Sequence, residues 1–356
     1  MKFSLAWLQE YSKEPLFPVK KLEGMITYNA FEIEEVEEVG DDTVLDIKVL
    51  PNRAHDALGH RGMARDVTAL IGNTFVDPNT YYEAVVDTSV EAPSIVTEDA
   101  KACTRFMSVR IDGVEVTESP EWLKARLNAI GQKSINSIVD ITNYVQFSLN
   151  KPMHAYDATL ITGNTLRARL ARAGEKLTTL DDKELELDTD TLVIADEEKP
   201  LGLAGIKGGK FSGISASTTS IILESANFNP TRIRKTSQKY GIRTDASKRF
   251  ENEIADELVE EGLRMTIALV QKLNPNAKVS EIVDVQNRKP WEYVVSTSVR
   301  EVNGHLGTSY SREDIHDVFT RLGFGVRLAT TKEVISEQLQ KVQSATYKNP
   351  SSMRED

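Results

Sequence analysis

Alternating apolar residues broken by turn signals run from residue 165 to residue 223, and a helix-period apolar pattern follows over 253–273. A chain carrying both patterns in succession is confined to mixed α and β architecture. The strand-rich region includes the runs LRARLA, LVIAD and SIILES, and it holds the glycines Gly202, Gly205, Gly208, Gly209 and Gly213. Their spacing is not that of a P-loop, since no Gly-Lys-Ser/Thr follows, nor G-x-G-x-x-G after a strand. The plain reading is tight turns or close approach of backbone to a ligand. The helix at 253–273 is expected to present Ile254, Leu258, Met265, Leu269 and Leu273 as one stripe and to stop at Asn274-Pro275.

A chain of 356 residues is long enough for about two or three domains. The fold class expected is multi-domain α+β. Residues 1–90 read as a small α+β domain. It has a short amphipathic helix over 3–12 with Ser4 as N-cap, and a strand pair at 31–39 and 43–50 joined through Gly40-Asp41-Asp42. A helix with Met63, Val67, Leu70 and Ile71 inward then ends at Gly72. Residues 91–275 read as a mixed α/β domain. A strand lies over 104–116, Ser119-Pro120 opens a helix that Gly131 ends, and 137–147 form a buried element broken by Asn150-Lys151-Pro152. Residues 276–356 read as a linker with some strand character and a helix-turn-helix-like domain. Its first helix closes at Gly307. Its second starts at a capping-box-like Ser311 to Asp314, with Ile315, Val318, Phe319 and Leu322 inward. The hydrophobic pattern fades after about 330.

The single cysteine, Cys103, excludes a disulfide framework and a cysteine-based metal site within the chain, and fits a reducing cytoplasm. Gln9, Glu10 and Lys13 stand where a signal peptide needs an apolar core. No apolar run approaches the length of a membrane-spanning helix.

Against a net charge of −11, residues Thr231 to Arg249 carry seven basic side chains and one acid, Asp245, or +6 by difference. The bases are Arg232, Arg234, Lys235, Lys239, Arg243, Lys248 and Arg249. The segment follows a glutamate, Glu224, that ends the apolar run Ile221-Ile222-Leu223. Either it grips a polyanion beside a buried acid, or it is a solvated helix face. The net charge argues against indiscriminate coating of nucleic acid and permits one directed contact. His154, just past a proline break and before an acid, is either a donor at a site or a satisfied structural residue. His55 and His60 lack metal-ligand spacing and read as structural or surface. Thr142-Asn143 places two neutral hydrogen-bonding side chains in an apolar setting, where such groups have partners in protein or ligand.

Five runs in order carry a resemblance: VDITNYV at 139–145, KPMHAYD at 151–157, LAGIKGGKFSGI at 203–214, LESANFNP at 223–230 and GIRTDASKRFE at 241–251. Together they resemble the editing domain of the bacterial phenylalanyl-tRNA synthetase beta subunit. MKFSLAWLQEYS is similar to that subunit's start, LPNRAHDALGHRGMARDV to its PNR element, and 296–356 to its following helix-turn-helix-like domain. Three departures stand out. The oligonucleotide-binding-fold insertion expected near residue 40 is replaced by a plain turn, and the PNR element has an extra residue around His55. SSMRED is similar to a segment after which the family continues, so the chain is expected to be a fragment or the product of a split or truncated gene.

The resemblance implies a beta subunit that works with a catalytic alpha subunit, as a heterotetramer of two alpha and two beta chains, on tRNA(Phe) and away from any membrane. The full synthetase is expected to use ATP and Mg2+, and Asp356 matches the first acid of a magnesium cluster; the editing site is expected to need no cofactor. That site is implied to hydrolyse mischarged Tyr-tRNA(Phe). Glu224 would read the tyrosine hydroxyl, while His154, Thr142, Asn143 and Thr244 lie near the ester and amino group. Gly205 and Gly208 would let backbone approach the side chain, and Ala246 would help form its wall. His154 would orient substrate or contact water. Arg232, Arg234, Lys235, Lys239, Arg243 and Lys248 would hold the acceptor end of tRNA. The alternative is a non-catalytic scaffold or tRNA-binding fragment of the synthetase.

Overall fold

Lys2–Ser4 forms strand β1 and Leu5–Gln9 forms helix α1, so the helix expected over 3–12 is split at Ser4. The residue serves both elements. Its extended backbone finishes the strand, and its hydroxyl accepts the Trp7 backbone N–H to cap the helix. The computed structural model describes residues 1–83, 86–288, 294–330 and 333. They fall in two compact units, Met1–Pro290 and Trp291–Asp356.

In the first unit, helix α2 (Val19–Asn29) precedes the hairpin of β2 (Glu32–Val39) and β3 (Asp42–Lys48). Gly40 takes the left-handed turn position with φ +61°. β1 joins the far edge of β3 to complete a three-stranded sheet. Helix α3 (Ala54–Ala57) leads into α4 (His60–Ile71), which buries Met63 and Val67 and ends at left-handed Gly72, as the sequence pattern predicts. His60 is structural. Its ring stacks on Trp7 with centroids 3.9 Å apart, its Nε2 accepts the Ser4 N–H, and its Nδ1 meets the Phe147 carbonyl at 2.9 Å. Full burial lowers its pKa to about 3, so it stays neutral.

The strands β4 (Ser94–Thr97) and β5 (Cys103–Asp112) come next, followed by helices α5 (Glu121–Ala129) and α6 (Ser137–Leu149). α6 is the buried element expected at 137–147. Asn136 caps its start through the Val139 N–H, and Asn150 ends it with φ +66°. Then come β6 (His154–Asp157), β7 (Thr165–Leu170), β8 (Lys176–Thr178), β9 (Glu184–Glu186), β10 (Leu192–Ala195), β11 (Pro200–Leu203), β12 (Lys207–Gly208) and β13 (Ser220–Phe228). Helices α7 (Pro230–Tyr240), α8 (Asp245–Phe250) and α9 (Glu257–Leu273) follow, with β14 (Lys278–Val279) and β15 (Val283–Gln286) after them. One five-stranded sheet runs β12-β11-β10-β7-β4. A second runs β14-β5-β13-β6, with β15 also paired to β5, so the strand character expected in the linker takes the form of edge strands here.

All nine residues of β13 are buried between β5 and β6. Strand alternation divides its side chains between two cores. Ile221 and Leu223 join the core shared with the N-terminal elements, α4, α6 and α9. Ile222, Ala226 and Phe228 join the core shared with β7, β10 and β11. Glu224 falls on this second side by register. α9 begins at Glu257 rather than 253, and its most buried apolar residues are Val259, Leu263, Met265, Ile267 and Val270. The expected stripe is displaced because the helix packs against both α6 and the β5–β13 sheet, which leaves Leu258, Leu269 and Leu273 partly buried.

In the second unit, α10 (Val299–Leu306) ends at left-handed Gly307, and α11 (Arg312–Arg321) follows. Ser298 with Glu301 and Ser311 with Asp314 form capping boxes. No residue of either helix is buried, and Val318, expected inward, is exposed.

Arg249 of α8 fastens the second core to the N-terminal elements. It is fully buried, donates from its two terminal nitrogens to the Leu58 carbonyl at 2.7 Å and the Asp245 carbonyl at 2.9 Å, and lies 4.7 Å above the Phe147 ring. Burial lowers its pKa to about 10, which keeps it charged at neutral pH. Arg249→Ala strands the Leu58 carbonyl and opens a cavity, and is expected to cost about 3 kcal/mol in urea unfolding.

Candidate functional site

α6 ends at the left-handed Asn150, and Lys151 to Met153 carry the chain into β6. β6 pairs antiparallel with β13 in a register that sets His154 opposite Glu224 and Tyr156 opposite Ile222. His154 and Tyr156 are two residues apart on one strand face, so both reach the side of β13 that carries Glu224. These side chains form one wall of a pocket that opens to solvent. Met153, the Gly202–Gly208 turn of β11 and β12, Ile194, and Ala246 and Phe250 of α8 close the rest.

Two glycines shape this pocket for different reasons. Gly205 has φ +65°, and a Cβ there would lie 2.8 Å from Phe250 and 2.9 Å from Phe228. At Gly208 a Cβ would lie 2.6 Å from Cε1 of His154, so the missing side chain is the space the imidazole occupies. Thr244 stands one step behind the wall. It caps α8 by accepting the Ser247 N–H at 3.1 Å and donates to the Ile206 carbonyl at 2.9 Å, tying helix to glycine turn.

Among the expected site residues, the pocket brings together His154, Glu224, Gly205, Gly208 and Ala246. Thr142 and Asn143 lie on α6 and do not line it; the Thr142 hydroxyl donates to the Val139 carbonyl of its own helix at 2.7 Å. Tyr156 and Lys151 were not anticipated. The Tyr156 hydroxyl donates to Oε2 of Glu224 at 2.5 Å. Lys151 is fully buried, and its ammonium donates to Oδ1 of Asn227 at 2.7 Å and to the Ala226 carbonyl.

Burial dominates the electrostatics. It raises the Glu224 pKa to about 7, against the pull of the Tyr156 hydrogen bond and the Lys151 charge. It lowers Lys151 to about 7, against the nearby Glu224 and Asp256 charges. It lowers His154 to about 4, so the imidazole is neutral at physiological pH and keeps a nitrogen lone pair. Burial and the adjacent Glu224 raise the Tyr156 phenol well above its usual value. The arrangement offers a pocket of mixed polar and apolar lining, in which Glu224, the neutral His154 imidazole, the Tyr156 phenol and Lys207 stand among Met153, Ile194, Leu203 and Phe250.

The basic segment runs along α7, the link at 241–244 and α8, whose Ala246 and Phe250 line this pocket, and acids from several elements offset part of its charge. Arg232 pairs with Asp99 at 3.2 Å, Arg243 with Glu251 at 3.0 Å, and Lys239 with Asp188. Arg234 and Lys235 are exposed and Lys248 is half-buried, each without an acidic partner among the described residues.

Residues 102–275 match the B3/4 domain family, which defines the class of the pocket-bearing region. The chain is 37% identical over 283 residues to the phenylalanine–tRNA ligase beta subunit of Protochlamydia amoebophila, covering 80% of this chain and 35% of that one. It is 38% identical over 295 residues to the Lactococcus lactis beta subunit, with 82% and 36% covered, and 39% identical over 289 residues to that of Streptococcus agalactiae, with 80% and 36% covered. The chain belongs to the phenylalanine–tRNA ligase beta subunit family, and it spans little more than a third of the length of these curated relatives. A solved N-terminal fragment of the phenylalanyl-tRNA synthetase beta subunit from Pyrococcus horikoshii covers 92% of this chain and 90% of its own. Its TM-score of 0.46 at 12% identity is too weak a likeness to bear on fold or function.

The two glycines give separable expectations. Gly208→Ala is expected to displace the His154 ring and shift its NMR resonances while the fold is kept. Gly205→Ala combines a left-handed backbone with contact against two packed rings. It is expected to lower unfolding stability by roughly 1–3 kcal/mol in a denaturant titration.

Proposed function

We propose that this chain carries the editing site of a phenylalanyl-tRNA synthetase beta subunit and hydrolyses the ester of tyrosine mischarged onto tRNA(Phe). The observation that carries this reading is Glu224, a buried carboxyl group on the wall of a pocket that also holds a neutral imidazole. An apolar pocket built for phenylalanine rejects tyrosine by only about 100-fold, because one added hydroxyl costs little there. A second pocket that requires the hydroxyl reverses the preference. Ionised Glu224 accepts a charge-assisted hydrogen bond from a phenol, and faces a bare ring edge when phenylalanine enters.

The aminoacyl ester is already activated, so a positioned water and a stabilised oxyanion suffice. Neutral His154 is the group suited to orient the water or the ester. The backbone of the Gly205–Gly208 turn approaches the amino-acid side chain, and Ala246 keeps the wall narrow. Thr244 acts by holding α8 to that turn. Thr142 and Asn143 belong to the site only as residues of the helix leading into β6. Arg234, Lys235 and Lys248, joined by Arg232, Lys239 and Arg243 once phosphates compete with their acids, hold the acceptor end of the tRNA.

Joining phenylalanine to tRNA(Phe) with ATP belongs, on this reading, to the cytoplasmic assembly of two alpha and two beta subunits. The described residues do not fit its magnesium: no group of three His, Cys, Asp or Glu among them is placed to hold a metal ion, and Asp356 lies outside them. The helix-turn-helix-like reading of the second unit rests on its two capped helices around Gly307. Among the described residues no helix is long and apolar enough to cross a membrane.

The test is release of tyrosine from Tyr-tRNA(Phe), with Phe-tRNA(Phe) as control. Glu224→Ala is expected to lower tyrosine release at least about tenfold, as loss of a hydrogen bond to a charged group; full activity in the variant overturns the assignment. Glu224 is protonated below its raised pKa of about 7 and ionised above it. Selectivity for tyrosine is therefore expected to be present above pH 7 and to fade as the pH falls through it.

A further inference from the structure

The carboxyl group of Glu224 is already engaged inside the protein. Its Oε2 takes the Tyr156 phenol at 2.5 Å, while Oε1 has no hydrogen-bond donor among the described residues. Tyr156 is itself fixed: it is 2% exposed, and the His154 ring meets it edge-on at 4.5 Å and 73°. Both residues line the pocket. A carboxylate has two oxygens and about four acceptor directions. A donor locked onto one oxygen therefore fixes where the other points.

We propose that Tyr156 is the positioning residue for specificity: its hydroxyl clamps Oε2 of Glu224 and presents Oε1 to the pocket as the acceptor for the ligand's phenol. The inference rests on the editing reading of the site. The pocket thus contains one permanent phenol–carboxylate bond, and a tyrosyl ligand adds a second on the opposite oxygen. The bond also favours the ionised acid, since a donor to the charged form opposes the desolvation that favours the neutral one. The other ionisable groups around Glu224 are His154 on β6, Lys151 before it and Cys103 on β5, with Asp256 beside Lys151, while Lys207 of β12 lines the same pocket and pairs with Asp181 at 3.2 Å. His154 is neutral, and the Cys103 thiol is pushed up by burial, so Tyr156 and Lys151 are what favour charge on Glu224.

The variant is Tyr156→Phe, which keeps the ring and removes the hydroxyl. Two readouts are taken from pH 6 to 9: the ratio of kcat/KM for Tyr-tRNA(Phe) over Phe-tRNA(Phe), corrected for spontaneous hydrolysis, and the Glu224 carboxyl band by infrared spectroscopy. At pH 7 the ratio is expected to fall about tenfold. The midpoints of both profiles are expected to move up by about one pH unit, so that selectivity returns in part near pH 9. A ratio and a carboxyl titration unchanged from wild type overturn the proposal. If wild-type protein releases no tyrosine, the editing reading fails, yet the infrared titration still decides whether Tyr156 governs Glu224. If Tyr156→Phe does not fold, Tyr156→Met, which fills the space without a donor, takes its place with the same outcomes.

Discussion

A carboxyl group in the middle of a strand buried along its whole length has to be partnered or neutralised, and the structure of this protein is arranged around that requirement. β13 runs between β5 and β6 with all nine residues out of solvent, and Glu224 sits at its centre. Its neighbours on the same strand are polar as well. Ser225 donates to the Val259 carbonyl of α9, and Asn227 bridges the Lys151 ammonium, the Ile254 carbonyl and Asp256. These bonds fasten β13 to the start of α9. Polar groups satisfied this fully fix register in a way that an apolar strand does not. The acid is consequently held at one place on the pocket wall.

The pocket follows from backbone breaks that deliver other elements to that acid. Left-handed Asn150 ends α6, and β6 starts four residues on with His154 opposite Glu224. Gly208 leaves room for the His154 ring, and Gly205 takes a left-handed turn against Phe228 and Phe250. Thr244 stitches α8 to the same turn, while Arg249 of α8 reaches the Leu58 carbonyl near the N-terminal helices. The wall thus draws on segments far apart in sequence. A ligand entering the pocket meets groups that are held before it arrives, which lowers the cost of ordering them on binding.

Much of this was legible from the chain itself. The β2–β3 hairpin, the Gly72 and Gly307 helix ends and the capping box at Ser311 carry local signals strong enough to survive folding. The region around Ser4 misled because one residue serves as both strand end and helix cap. α9 misled because a helix packed on two sides shows no single apolar stripe. In the site, motif resemblance found His154, Glu224, Gly205, Gly208 and Ala246, which meet at the pocket. Tyr156 is not found that way. Its signal was the two-residue spacing from His154 on a strand, which becomes meaningful only once the antiparallel register to Glu224 is known. The charge count over 231–249 ran high for a related reason. Asp99 and Asp188 lie outside the window, and only the fold brings them to Arg232 and Lys239.

The most direct measurement is calorimetric binding of two non-hydrolysable ligands at pH 8, adenosine carrying tyrosine or phenylalanine through a 3′-amide, to wild-type protein and to Glu224→Gln. The account predicts that the tyrosyl compound binds wild type at least about tenfold more tightly than the phenylalanyl compound, and that the glutamine variant loses most of that difference. Equal affinity of wild-type protein for the two compounds would contradict it.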